Sequence, residues 1–220
     1  TATQGLSLQS ASMGVDLGSS IASCDFNGDG KKDVIIGAPN AYSGSGAVII
    51  VFGGSDFSTV DLSDPAASGS GMILTATGQI GFGTKVICLG NADAITATED
   101  LLIGEGQQTT FWAVFGQVGF SSNQDVSSLL KCEVFSSMGD TLDDATSVGD
   151  VTGDGKGDAV ILVRDGGSVY RGVLITDFSN ANVDVGVSVQ GIRIFITNGG
   201  QSSVPMTFAP VGKFDGDSYK

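Results

Sequence analysis

Cys24-Asp25-Phe26-Asn27-Gly28-Asp29-Gly30-Lys31-Lys32-Asp33 runs directly into Val34-Ile35-Ile36-Gly37-Ala38-Pro39, and the reading of this stretch decides the fold. Oxygen-bearing side chains stand at positions 1, 3, 5 and 9 (Asp25, Asn27, Asp29, Asp33), and Gly28 and Gly30 allow tight turning. A hard cation such as Ca²⁺ needs this set: several converging oxygens, one of them a backbone carbonyl, here that of Lys31 at position 7. Two features exclude an EF-hand. Position 12 is Ile36 rather than a bidentate Glu, and the flank is a β-branched apolar run rather than an amphipathic helix. The loop therefore joins two strands.

The pattern recurs. Asp150-Val151-Thr152-Gly153-Asp154-Gly155-Lys156-Gly157-Asp158 matches it position for position, with Thr152 in place of Asn27. The second set of candidate ligands is thus Asp150, Thr152, Asp154, the carbonyl of Lys156, and Asp158. A further copy begins at Lys213, with Asp215 and Asp217 as doubtful ligands. Lys213 puts a cation at the first ligand position, where it either repels Ca²⁺ or replaces it by pairing with those carboxylates. Between the two intact loops lies a degenerate copy, with Gly90, Ala92 and Ala94 at the ligand positions and two extra residues before Asp100. No metal is expected there. The repeat period is roughly 60 to 65 residues, the scale of a propeller blade with long loops.

The combination of DxNxDGxxD, VIIGAP (34–39) and the later VFGG (51–54) resembles the FG-GAP repeat of integrin α subunits. The resemblance implies an all-β protein, a β-propeller of integrin-like FG-GAP blades, each a four-stranded sheet with the metal loop as a hairpin between adjacent strands. About 3.5 blades are expected, half of a seven-bladed ring. Residues 1–12 supply a ring-closing outer strand, 13–77 blade 1, 78–137 blade 2, 138–198 blade 3 and 199–220 the start of blade 4. Residues 206–211 open that last blade, and the sequence given stops at position 8 of its loop. A piece of something longer is therefore expected, with another polypeptide, either the rest of one precursor or a second copy, completing the ring. Two structural Ca²⁺ sites follow from the resemblance, each stapling a hairpin on the face opposite the one integrins use for ligand.

Composition narrows the function. With 220 residues, 41% of them hydrophobic, 34 Gly and 4 Pro, the chain is folded and rich in turns. A formal net charge of −14 with only ten Lys and Arg argues against nucleic acid, whose phosphates need clustered cations. Bound Ca²⁺ would offset part of that charge. No apolar run approaches the roughly 20 residues of a membrane helix. Three cysteines (Cys24, Cys88, Cys132) leave their pairing open, and no N-glycosylation acceptor is present. With no His and no GxSxG motif, catalysis is not expected. Phe52, Phe82, Trp112 and Phe115 read as blade-packing core rather than a sugar-stacking platform.

The expected function is a calcium-binding adhesion or protein-interaction module, extracellular or on the cell surface. It would present loops such as 42–46 and 104–109 to a protein ligand. The alternatives are a structural component of an extracellular assembly, a lectin-like carbohydrate binder, or the non-catalytic propeller of a GPI-phospholipase-like enzyme.

Overall fold

Short strands alternate with Gly-rich turns, and the described residues build three separate sheets from them. The structure, a computed structural model, describes residues 16–55, 60–95, 97–129, 131–166, 170–178 and 182–186, and the backbone of 193–196. The expected strands at 1–12 and 206–211, and the doubtful ligands Asp215 and Asp217, lie outside the described residues.

The first sheet is an antiparallel meander of β1 (Ile21–Cys24), β2 (Asp33–Ala38), β3 (Ala47–Val51) and β4 (Gly71–Thr75). The second repeats it with β5 (Lys85–Gly90), β6 (Asp100–Gly104), β7 (Thr110–Val114) and β9 (Lys131–Phe135). The third is β10 (Thr141–Gly149), β11 (Asp158–Arg164), β12 (Tyr170–Ile175) and β14 (Arg193–Ile196). The molecule is thus all-β, and its antiparallel sheets are compatible with the blades of a partial propeller.

Two short strands complete the inventory. β8 (Gln124–Asp125) lies in the connection between β7 and β9 yet pairs in parallel with β4 of the preceding sheet. β13 (Val183–Asp184), between β12 and β14, pairs likewise with β9. The second and third repeats thereby each reach back and add a strand to the preceding sheet.

Period-2 alternation explains why the middle strands are buried on both faces. Ile35, Val48, Ile50 and Leu74 of the first sheet pack with Leu101, Ile103, Trp112 and Val114 of the second. The opposite faces of those second-sheet strands, through Leu102, Phe111, Ala113, Cys132 and Val134, meet Ala159, Ile161, Val163 and Val173 of the third. Ile36, Ile49, Val51 and Ile73 form a further buried cluster on the other side of the first sheet, with Leu62. The aromatics take the core role expected of them: Phe52, Phe82 and Trp112 are buried and Phe115 is half-buried. Cys24 and Cys88 form a disulfide between the first strands of the first two sheets, and Cys132 on β9 is a buried thiol.

Candidate metal centres and the opposite cleft

Each β1–β2-type hairpin is organised by one buried carboxylate at the start of its second strand. Asp33 is fully buried; its Oδ2 accepts from the N–H groups of Phe26 (3.0 Å) and Asn27 (3.4 Å), and its Oδ1 from that of Gly53 (2.9 Å). Asp100 repeats this: Oδ2 accepts from Ala92 (2.6 Å) and Asp93 (3.2 Å), Oδ1 from Gly116 (2.9 Å). Asp158 accepts through Oδ2 from Val151 (2.8 Å) and Thr152 (3.1 Å), but its buried Oδ1 has no partner. The reason lies just past the end of the neighbouring strand. A Cβ on Gly53 or Gly116 would meet a backbone oxygen at 2.4 or 2.5 Å, so only glycine lets that N–H come close. The third sheet has Asp177 at the corresponding place, and its carboxylate pairs with Lys156 at 3.0 Å.

This geometry corrects the register of the middle loop. Asp100 holds Ala92 and Asp93 as Asp33 holds Phe26 and Asn27, and Gly90 pairs with Asp100 as Cys24 pairs with Asp33. Neighbouring loops are also chained alike, Glu99 N–H donating to the Asp25 carbonyl (2.8 Å) and Gly157 N–H to that of Asn91 (2.8 Å). Position 1 is therefore Asn91 and position 3 is Asp93, not Gly90 and Ala92. A β-bulge between Cys88 and Gly90 absorbs one of the two extra residues, a feature that sequence spacing alone does not reveal. Position 5 falls on Ile95, exposed and without a side-chain oxygen.

In the first intact loop, Asp25 Oδ1 and Asn27 Oδ1 converge on one donor, the Asp29 N–H, at 3.1 and 3.0 Å. Asp25 Oδ2 accepts from Gly30 (3.0 Å), and Asp29 Oδ1 from Lys31 (2.8 Å). In the second, the Thr152 hydroxyl lies 3.4 Å from both Asp150 Oδ1 and Asp158 Oδ2, bringing three predicted ligands together. Asp150 also accepts from Gly153, Asp154 and Gly155, and Asp154 from Lys156 (3.0 Å). Lys31 and Lys156 thus bind the loops through their N–H groups.

Among the described residues, neither loop gathers three carboxylates with ligand atoms all within 4.8 Å. The one group that meets this distance is Cys24, Cys88 and Glu99, whose sulfurs are joined to each other. Glu99 is occupied as well: burial works against its charge, but the Lys32 ammonium and the Asp25 N–H hold it below the usual carboxylate range.

The donor chemistry fits a hard cation. Every candidate is oxygen, and a carboxylate oxygen accepting one N–H keeps a second lone pair. Burial pushes both Asp33 and Asp158 above the ordinary carboxylate range despite their N–H bonds, whereas backbone donors, Gly155 first, hold Asp150 below it. An adjacent divalent cation would return Asp33 and Asp158 to the charged form, and Asp158 Oδ1 is a buried acceptor left wanting a partner.

At the other end of the strands, a cleft of about 440 Å³ opens between the second and third sheets. Phe111 and Leu142 form its apolar lining, and Lys85 pairs with Asp144 across it. Arg164 grips Asp143 through Nε (2.7 Å) and Nη2 (3.0 Å). The 104–109 loop borders this cleft through Glu105 and Gln108, while Tyr42, 54% exposed, stands on the 42–46 loop of the first sheet.

Residues 17–51 match the FG-GAP repeat, a span holding β1, the first loop, β2 and β3. No curated protein matches the chain. The chain thus carries an FG-GAP repeat within an all-β structure whose sheets are compatible with the blades of a partial propeller. Among the described residues, no helix is long and apolar enough to cross a membrane.

Proposed function

We propose that this chain is a calcium-stapled propeller segment acting as a non-catalytic protein-interaction module, outside the cell or on its surface. The observation that carries the proposal is the convergence of oxygens in two hairpin loops of identical spacing, each built over a buried Asp. Asp25, Asn27, Asp29, Asp33 and the Lys31 carbonyl would hold one Ca²⁺; Asp150, Thr152, Asp154, Asp158 and the Lys156 carbonyl would hold the second. Bound there, the ion supplies no chemistry beyond charge neutralisation and loop rigidity.

The Cys24–Cys88 disulfide supports an oxidising compartment. Burial of Trp112, Phe52 and Phe82 leaves no stacking platform among them and favours a protein partner over a sugar. That partner would meet the end holding the 42–46 and 104–109 loops, away from the metal loops. Since propeller rings close with four to eight blades, further polypeptide would supply those beyond the three sheets. Calorimetric titration of the metal-free chain with Ca²⁺ tests the reading: two sites are expected, one after Asp29→Ala, and no binding heat would refute it.

A further inference from the structure

The short parallel strands β8 and β13 belong to a repeated latch. Asp125 turns on itself, its Oδ1 accepting from Ser127 N–H (2.9 Å), and with Oδ2 it takes the N–H (2.8 Å) and hydroxyl (2.6 Å) of Thr77, two residues past the end of β4. Asp184 does the same, accepting through Oδ1 from Gly186 (2.8 Å) and from Ser137 (3.0 Å), two residues past the end of β9. Val126 and Val185, next in sequence, are buried beneath their turns. Asn123 and Asn182, just before the two strands, each accept a backbone N–H from the strand they join, that of Ile73 (2.8 Å) and of Glu133 (3.1 Å).

A third copy of the turn exists in the first sheet. Asp61 Oδ1 accepts from Ser63 N–H (2.8 Å) and Ser63 Oγ (2.6 Å), and the following Leu62 is fully buried, like Val126 and Val185. Asp61 itself is exposed; its carbonyl accepts from the Asp64 N–H (3.2 Å), and among the described residues its carboxylate is bonded by Ser63 alone. It is a latch with its reach unused.

The spacing of the two closed latches names the occupant. The anchored N–H precedes its Asp by 48 residues for Thr77 and Asp125, and by 47 for Ser137 and Asp184. From Asp61 the same two intervals end at Met13 and Gly14, and the sequence pattern places the equivalent residue at Ser12, 49 residues back: Ser10-Ala11-Ser12-Met13-Gly14 parallels Phe135-Ser136-Ser137-Met138-Gly139 and Thr75-Ala76-Thr77-Gly78. Four residues further on, Asp16-Leu17-Gly18 stands where Gly81-Phe82-Gly83 does, and Gly18 and Gly83 N–H donate alike to the carbonyls of Gly37 (2.9 Å) and Gly104 (3.0 Å). The register is therefore fixed at a described residue.

We propose that Val60–Asp61 is the docking site of the segment Leu6–Ser12. By analogy with β8 on β4, that segment would run parallel to Val60–Asp61, with Gln9 and Ser10 opposite Val60 and Asp61, and the Asp61 carboxylate would accept from the Ser12 N–H and hydroxyl. The latch ties this leading strand to the first sheet as β8 and β13 tie β4 and β9. It does so whether or not the loops hold calcium.

The test is cross-linking in the full chain carrying Cys132→Ala, comparing Ser12→Cys with Asp61→Cys against Thr77→Cys with Asp125→Cys. Under mild oxidation both pairs are expected to close within one chain, read by non-reducing electrophoresis and by mass spectrometry of the linked peptides. Closure of the 77/125 pair without the 12/61 pair, or 12/61 links between chains, would overturn the proposal; the second result would assign the site to another copy. Hydrogen exchange needs no cysteines and decides independently. Residues 6–12 of the wild-type chain should exchange as slowly as 71–77, and Asp61→Ala should speed them by about tenfold or more while sparing 71–77 and 131–137. Rapid exchange of 6–12 in the wild type would refute the docking.

Discussion

Asp33 and Asp29 sit four residues apart in one loop and should fail in different ways. Asp33 caps three N–H groups of the loop and the following strand. Removing a buried acceptor leaves each donor unsatisfied at about 1–3 kcal/mol. Asp33→Ala is therefore expected to destabilise the fold by about 3 kcal/mol or more even in EDTA, measured by urea unfolding. Asp29 is exposed and its carboxylate accepts only the local Lys31 N–H, so Asp29→Ala, which keeps the backbone N–H, should matter in Ca²⁺ and be nearly silent in EDTA.

Asp100 gives a pH signature of the opposite kind from most carboxylates. Burial pushes it up to about 6 from 3.8, against the N–H donors of Gly116 and Ala92. The folded state then holds its proton more tightly than the unfolded state. The associated stability is full below about pH 4 and disappears as pH rises through 6, by up to about 3 kcal/mol. Asp100→Asn should flatten that decline when urea midpoints are compared at pH 4 and 7. The latch residue Asp125 runs the other way: Ser127 and Thr77 outweigh burial and hold it far below the usual range. Its contribution is present above about pH 4 and is lost as pH falls.

At the scale of elements, the disulfide between β1 and β5 closes a loop with a sequence separation of 64. Chain entropy for that length corresponds to about 4 kcal/mol. Cys24→Ser with Cys88→Ser should lower the unfolding free energy by up to that amount, read from denaturant curves of the oxidised and variant proteins.

The main strands of each sheet were legible because apolar runs bounded by Gly and Asp announce them, as Asp33-Val34-Ile35-Ile36-Gly37 does. The Asp-centred loops were legible through spacing. Three things were not. The bulge before Gly90 shifts register without any change in composition, so spacing alone does not mark Asn91 and Asp93 as loop positions. The role of Asp33, Asp100 and Asp158 as tethers depends on a glycine or its absence some 20 residues later. The latch rests on two-residue strands, too short for periodicity, and its trace is the recurrence of Val60-Asp61-Leu62-Ser63, Gln124-Asp125-Val126-Ser127 and Val183-Asp184-Val185-Gly186 at the repeat period.

At the scale of the whole molecule, three sheets share two hydrophobic interfaces and are tied by a disulfide, chained loops and latches. In such an array, stabilising one hairpin also supports its neighbours. Calcium held in the two intact loops would therefore act on the global transition rather than on local fraying. At 100 times the dissociation constant, each site adds about 2.7 kcal/mol, so the pair adds about 5 kcal/mol. The measurement that tests this most directly is thermal unfolding of the wild-type chain in millimolar Ca²⁺ and in excess EDTA. A single transition raised on the order of 10 °C or more by Ca²⁺ is predicted, with the rise abolished in Asp29→Ala plus Asp154→Ala; superimposable melting curves of the wild type in the two conditions would contradict it.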